Sequence, residues 1–228
     1  LKKISKKLKD FSSEVKKELA LQKKINSRWL KKGVRIQNPE TVNICSETIL
    51  EPGVVIEKNC TILQSVVRAG TLIKQGSRIE KSIIAQDCVL GPYAHLRPGN
   101  EIGRNVKIGN FVEVKNSLLK DGVKASHLSY IGDAEIGENT NIGCGFITCN
   151  YDGKNKFKTI IEEEVFIGSD SQVVAPVKIG AHSYIASSTT VTEDVPRESL
   201  VLSRGKQITK PGYAKKYSSK GKTLCAES

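Results

Sequence analysis

An aliphatic residue recurs at every sixth position along most of this chain, and Gly follows it again and again. Ile102-Gly103 is followed by Ile108-Gly109, Ile136-Gly137 by Ile142-Gly143, and Ile167-Gly168 by Ile179-Gly180. The intervening positions complete ladders: Ile44, Leu50, Ile56, Ile62; then Ile84, Leu90, Leu96, Ile102, Ile108, Val114; then Ile167, Val173, Ile179, Ile185, Val191. This period fits neither a helical stripe nor the alternation of an ordinary hairpin. It is the hexapeptide repeat of a parallel β-helix, where each side of a coil supplies one inward aliphatic and one turn. The ladder slips by one residue from Ile62 to Val67, Ile79 to Ile84, Val114 to Leu119 and Ile131 to Ile136, and recovers each time. A sandwich or barrel would instead alternate in twos between turns of varied spacing.

The chain has 228 residues, enough for one extended domain with appendages. A solenoid needs no aromatic centre, so five Phe and one Trp are no obstacle. No apolar run approaches the ~18 residues of a membrane span, and no secretory leader is visible. Cys45, Cys60, Cys88, Cys144, Cys149 and Cys225 are scattered without a CxxC, which predicts a reducing, cytoplasmic compartment. There is no Met, even at position 1, so the chain is expected to be a piece of a longer one. The net charge of +12 sits at the ends: +9 over residues 1–32 and +6 over 204–228, against −3 for the body. That distribution predicts solvated Lys-rich appendages, with no nucleic-acid stripe on the folded surface.

Residues 1–33 read as a helical arm. Leu1, Ile4, Leu8, Phe11 and Val15 form an apolar stripe, with Leu19 and Ile25 near it, and such a stripe needs cover from the solenoid, a partner chain or another domain. Residues 34–195 read as the β-helix, with the ladder from about Val42 to Val191, and 196–228 as a polar tail. The stretch from Asn150 to Lys156 breaks the rhythm with turn formers and charge, and reads as a loop thrown out from a coil corner.

Only three histidines exist: His95, His127 and His182. Their spacing shows no paired zinc pattern, so no metal site is expected. No GxSxG elbow exists for serine hydrolysis. His127 sits in a polar, mid-coil setting, Lys124 to Tyr130. With coils of about 17–18 residues, Lys115 is expected one coil below His127, and Arg97 one coil below Lys115. Two cations suit a phosphate, and a neutral imidazole suits removal of a proton from an amine.

The stretches His95-Leu96-Arg97-Pro98-Gly99, Asn110 to Lys115, Ser126 to Ala134, and Ile147 to Gly153 resemble the acetyltransferase half of the bacterial bifunctional GlmU enzymes. Those enzymes combine N-acetylglucosamine-1-phosphate uridyltransferase and glucosamine-1-phosphate N-acetyltransferase activities. The likeness covers nearly the whole chain. It implies an all-β, left-handed parallel β-helix; the repeat alone does not set the hand. It also implies a homotrimer with sites between chains, acetyl-CoA as co-substrate, and no tightly bound cofactor. By resemblance His127 is the general base. Arg97, Lys115, Tyr130, Asn141 and Lys156 form the sugar-phosphate site, and Asn150 and Tyr151 belong to the loop over sugar and acetyl group. Cys144, Ser169, Ser187 and Arg204 surround acetyl-CoA. Cys144 and Phe146 depart from the smaller or more polar residues usual there, and Ser187 stands where Ala is usual, so the cofactor side carries the departures. The Mg²⁺-dependent uridyltransferase domain is not among these residues.

The expected reaction is N-acetylation of glucosamine 1-phosphate, on the route to UDP-N-acetylglucosamine. A related class moves a longer acyl chain from a carrier protein onto a UDP-sugar or another amino sugar. It would need an apolar slot and a basic body, and this body is acidic. A non-enzymatic hexapeptide scaffold would keep the ladder and lose His127.

Overall fold

The computed structural model describes residues 2–203, 205 and 207–214, with side chains from residue 10 onward. One helix, Lys2–Lys31, leads into a parallel β-helix of triangular section. Among the described residues the first face holds ten rungs, from Arg35–Ile36 to Leu200–Val201. The second face runs from Asn43–Ile44 to Thr190–Val191. The third runs from Ile49–Leu50 to Val177–Ile179. All these strand pairings are parallel. The ladder residues named above point inward and are buried. Each fully buried Ile or Leu contributes ~1.5–3 kcal/mol of transfer free energy.

The Gly after each ladder Ile has a steric cause. A Cβ on Gly103, Gly137, Gly143, Gly168 or Gly180 would stand 2.3–2.7 Å from the backbone of the next coil. The four one-residue slips also share one place. Each falls at the corner between the second and third faces, and each holds one left-handed residue, Gln64, Lys81, Asn116 or Asp133, as several full-length corners do at Asn59, Asp87 and Asn105.

Among the described side chains, the helix packs on the coils through its C-terminal third, from Gln22 to Trp29. Trp29 is buried with Val34, Val42 and Ile44. Asn26 Nδ2 donates to the carbonyls of Pro39 and Val42 at 2.7 and 2.9 Å, closing the first coil. Of the described stripe, Phe11 and Leu19 are exposed, Val15 is half-buried and Ile25 packs against the core. At the other end the sequence boundary falls short. Leu200–Val201 still pairs with Tyr184–Ile185, because Pro196 sits at a turn, where its carbonyl accepts from Ser183 Oγ at 2.9 Å. The coil thus continues past residue 195. Cys60 and Cys88 line the interior, and burial pushes both thiols up to about 11. The described cysteines are unpaired. No described helix is long and apolar enough to cross a membrane.

Candidate active site

Two nine-residue strands, Lys107–Lys115 and Lys124–Gly132, run unbroken around the corner between the first and second faces. Their register sets His127 directly above Asn110. The imidazole is exposed, and its Nδ1 lies 2.9 Å from Asn110 Oδ1. Higher up, Ile142 pairs with Ile167, and Ile167 with Ile185. Two residues beyond each stand Cys144, Ser169 and Ser187, all exposed. They occupy the same place in their coils that His127 holds beyond Ala125. The column therefore reads Asn110, His127, Cys144, Ser169, Ser187. At ~4.8 Å between coils, it extends ~14 Å above His127. Below and beside it, Tyr93 and Phe111 stack at 5.8 Å, and Leu128 is exposed next to the base. Tyr93, Phe111 and Leu128 all take left-handed backbone, rare for bulky side chains and clustered at this corner.

Lys115 is not one coil below His127. It pairs with Gly132, because the twelve residues from Lys115 to His127 fall short of a coil. Arg97 does stand one coil below Lys115, since Leu96 pairs with Val114. The cations thus gather at the far edge of the second face, about five residues along the strand from His127, or ~16 Å of extended chain. Lys115 Nζ lies 3.4 Å from Asp133 Oδ2. It also shares a hydrogen bond with Lys156, which holds the Lys115 ammonium above its usual range, aided by Asp133. The same contact pushes Lys156 down. Two crowded amines beside one carboxylate leave room for a further anion. Arg97 donates to Glu113 Oε1 at 3.0 Å, which holds its guanidinium above the usual range. His95 lies between Glu80 and Glu113, at 3.3 and 3.9 Å. Tyr130 lies over Gly132, where a Cβ would come within 2.4 Å of its hydroxyl.

The loop is pinned from below. Asn150 is buried, and its Nδ2 donates to Asp133 Oδ2. Asn116 Nδ2 donates to Asp133 Oδ1 at 2.6 Å. Burial pushes the Asp133 carboxyl up, yet the bonds from Asn116, Asn150 and Lys115 outweigh it and hold the group below the usual range. Tyr151 bridges Lys156, and its hydroxyl donates to the Gly153 carbonyl at 2.6 Å. Asp152 Oδ1 accepts from the backbone of Lys154 and Asn155. A cavity of about 650 Å³ opens beneath the loop, lined by Asn116, Asp133, Lys156 and Phe157 among others.

Arg97, Lys115, Tyr130, Asn150 and Lys156 are thus brought together, while His127, Cys144, Ser169 and Ser187 form a separate column on the same face's other edge. Asn141 joins neither group: it lies on the first face, in register with Lys124 and Phe166. Phe146 is fully buried among the inward residues, so it belongs to the core and not to the cofactor side. Arg204 lies outside the described residues. Sequence reasoning missed Asn110, Asn116, Glu113 and Asp133. Counting one 17-residue coil back from His127 finds Asn110, and the slip at Ile131 to Ile136 marks Asp133. Among the described residues no cluster of His, Cys, Asp or Glu could hold a metal ion.

The family model for the bacterial transferase hexapeptide (six repeats) matches residues 81–116 and 158–193. A bifunctional GlmU protein of Staphylococcus haemolyticus is 50% identical over 217 residues, covering 87% of this chain and 48% of the relative. One from Bartonella quintana is 52% identical over 185 residues, covering 81% of this chain and 41% of the relative. The chain spans about half the length of the curated relatives it matches. Among solved structures, a UDP-N-acetylglucosamine acyltransferase from Campylobacter jejuni superposes with a TM-score of 0.65 at 18% identity, covering 85% of this chain and 86% of that one. That likeness concerns the fold alone. The repeat, the coil register and the GlmU identities together show that the chain belongs to the hexapeptide-repeat family, as the counterpart of the C-terminal half of bifunctional GlmU.

Proposed function

We propose that the chain transfers an acetyl group from acetyl-CoA to the amine of glucosamine 1-phosphate. The carrying observation is the column of Cys144, Ser169 and Ser187 rising from His127, with the cations of Arg97, Lys115 and Lys156 across the same face. An extended thioester arm suits the column, and a phosphate suits the crowded amines. The amine sheds a proton on entry. As its nitrogen attacks the thioester carbonyl, His127 takes the second proton, the C–S bond breaks, and the proton passes to the departing thiolate. The thioester is already activated, so no cysteine nucleophile is required and Cys144 serves as a wall. The cations hold the phosphate and thereby aim the nitrogen. Acetyl-CoA is a co-substrate, with no resident cofactor or metal. The working form is a homotrimer in the cytoplasm, preceded in the whole protein by a uridyltransferase domain. Asn141 reaches a clamp from the first face of a neighbouring chain.

Release of free thiol from acetyl-CoA tests this reading. Glucosamine 1-phosphate should be acetylated in excess chelator, and unphosphorylated glucosamine should be a far poorer acceptor. His127→Ala should lose ~10²–10⁴-fold in kcat while keeping its fold. Equal use of both sugars would remove the phosphate clamp, and full turnover in His127→Ala would remove the base.

A further inference from the structure

We infer that Asn110 is the positioning residue of the base: its amide oxygen holds His127 as the Nδ1–H tautomer and leaves the Nε2 lone pair to take the amine's proton. This rests on the reading of His127 given above. The two side chains occupy successive coils of one column, and strand pairing fixes their backbones. Asn110 Oδ1 lies 2.9 Å from Nδ1, and among the described residues it is the ring's one hydrogen-bond partner. An amide oxygen can only accept, so Nδ1 must carry the hydrogen. The His127 side chain is exposed and would otherwise turn freely about its bonds. A left-handed residue follows each partner, Phe111 after Asn110 and Leu128 after His127, which keeps the two corners alike and the column straight.

The choice of amide over carboxylate has a chemical consequence. A carboxylate at this place would favour the imidazolium and occupy the base with a proton. A neutral amide orients the ring without that penalty. The titratable groups on the surrounding rungs are Tyr93 below, Cys144 above, Lys107 and Lys124 on the first face, and Glu113, Lys115 and Tyr130 on the second. None of them bonds to the ring.

The tautomer is read from the ¹⁵N shifts of His127 in the intact chain, and the pH dependence of kcat from the thiol-release assay. The wild type should show Nδ1–H. Asn110→Ala should lose that preference and ~10–100-fold in kcat, the usual cost of removing a partner that orients an imidazole, with the KM for the sugar phosphate within about twofold. Asn110→Asp should restore the tautomer and move the acid limb of the kcat profile upward by about one pH unit or more. A merely structural Asn110 would leave that limb in place. An Nε2–H ring in the wild type, or wild-type kcat in Asn110→Ala, would overturn the inference. The ring readout needs no turnover. Nδ1–H lost in Asn110→Ala, in a chain that acetylates no amino sugar, would sink the proposed reaction and leave the Asn110–His127 pair standing.

Discussion

Asp133 accepts from three donors on two oxygens, from the coil below through Asn116 and Lys115 and from the coil above through Asn150. Asp133 is half-buried, and a hydrogen bond to an ionised group contributes about 1.5–3 kcal/mol. Its carboxyl is held below the usual range in the folded chain. A carboxyl in an unfolded chain titrates at about 3.9. The stabilisation is therefore complete above about pH 4 and is lost as pH falls through the lower, folded value. Asp133→Asn should be less stable at pH 7 and should lose less stability on acidification below about pH 4. Urea midpoints between pH 7 and pH 2 measure this, and parallel curves for the two chains would refute it. In the local sequence the slip from Ile131 to Ile136 marks the position of Asp133, but nothing there shows its partners. Asn116 and Asn150 lie 34 residues apart, and only coil stacking brings both to Asp133.

At the scale of the element, the long strands that round the first corner are what carry the base. Gly109 sits beneath Ser126, the residue before His127. A Cβ there would meet the Ser126 carbonyl oxygen at 1.8 Å, and backbone cannot swing aside as a flexible side chain can. Gly109→Ala should therefore cost at least the ~1–3 kcal/mol of an overpacked core site and tilt the Ser126-His127 rung. Thermal unfolding together with kcat checks this, with Gly205→Ala as a control that meets nothing within 4 Å. An unchanged midpoint in Gly109→Ala would mean that the coils slide apart at little cost. The Ile-Gly pairing was plain in the sequence. Its reason, room for the next coil's backbone, needed the stacked structure. The helix shows the reverse: its apolar stripe was legible, yet the chain anchors it through Asn26 and Trp29 near its end.

Across the whole molecule, Asn141 and the Arg97–Lys115–Lys156 cluster lie on different faces of one prism. In the proposed homotrimer, a site using both would draw them from two chains. Asn141→Ala and Lys115→Ala chains should then each be impaired alone, and mixed trimers of the two should regain part of the lost activity. Co-expression with two affinity tags isolates the mixed species. No recovery in such trimers would place the whole site on one chain, without Asn141.

The six-residue period sufficed to determine the parallel coils and the inward ladder, because a strictly repeated length forces equivalent residues into register. It placed Arg97 under Lys115 correctly, since their 18-residue spacing is one full coil. It failed for Lys115 under His127, where two-thirds of a coil leads to another part of the triangle. The tertiary structure alone decided which corners shorten, which outward side chains meet across coils, and that Phe146 turns inward. A corner one residue shorter barely alters the pattern of aliphatics, yet it shifts which rung positions face each other. Contacts such as Asn110 with His127 and Asp133 with Asn150 are set by that register and not by any neighbour in the chain.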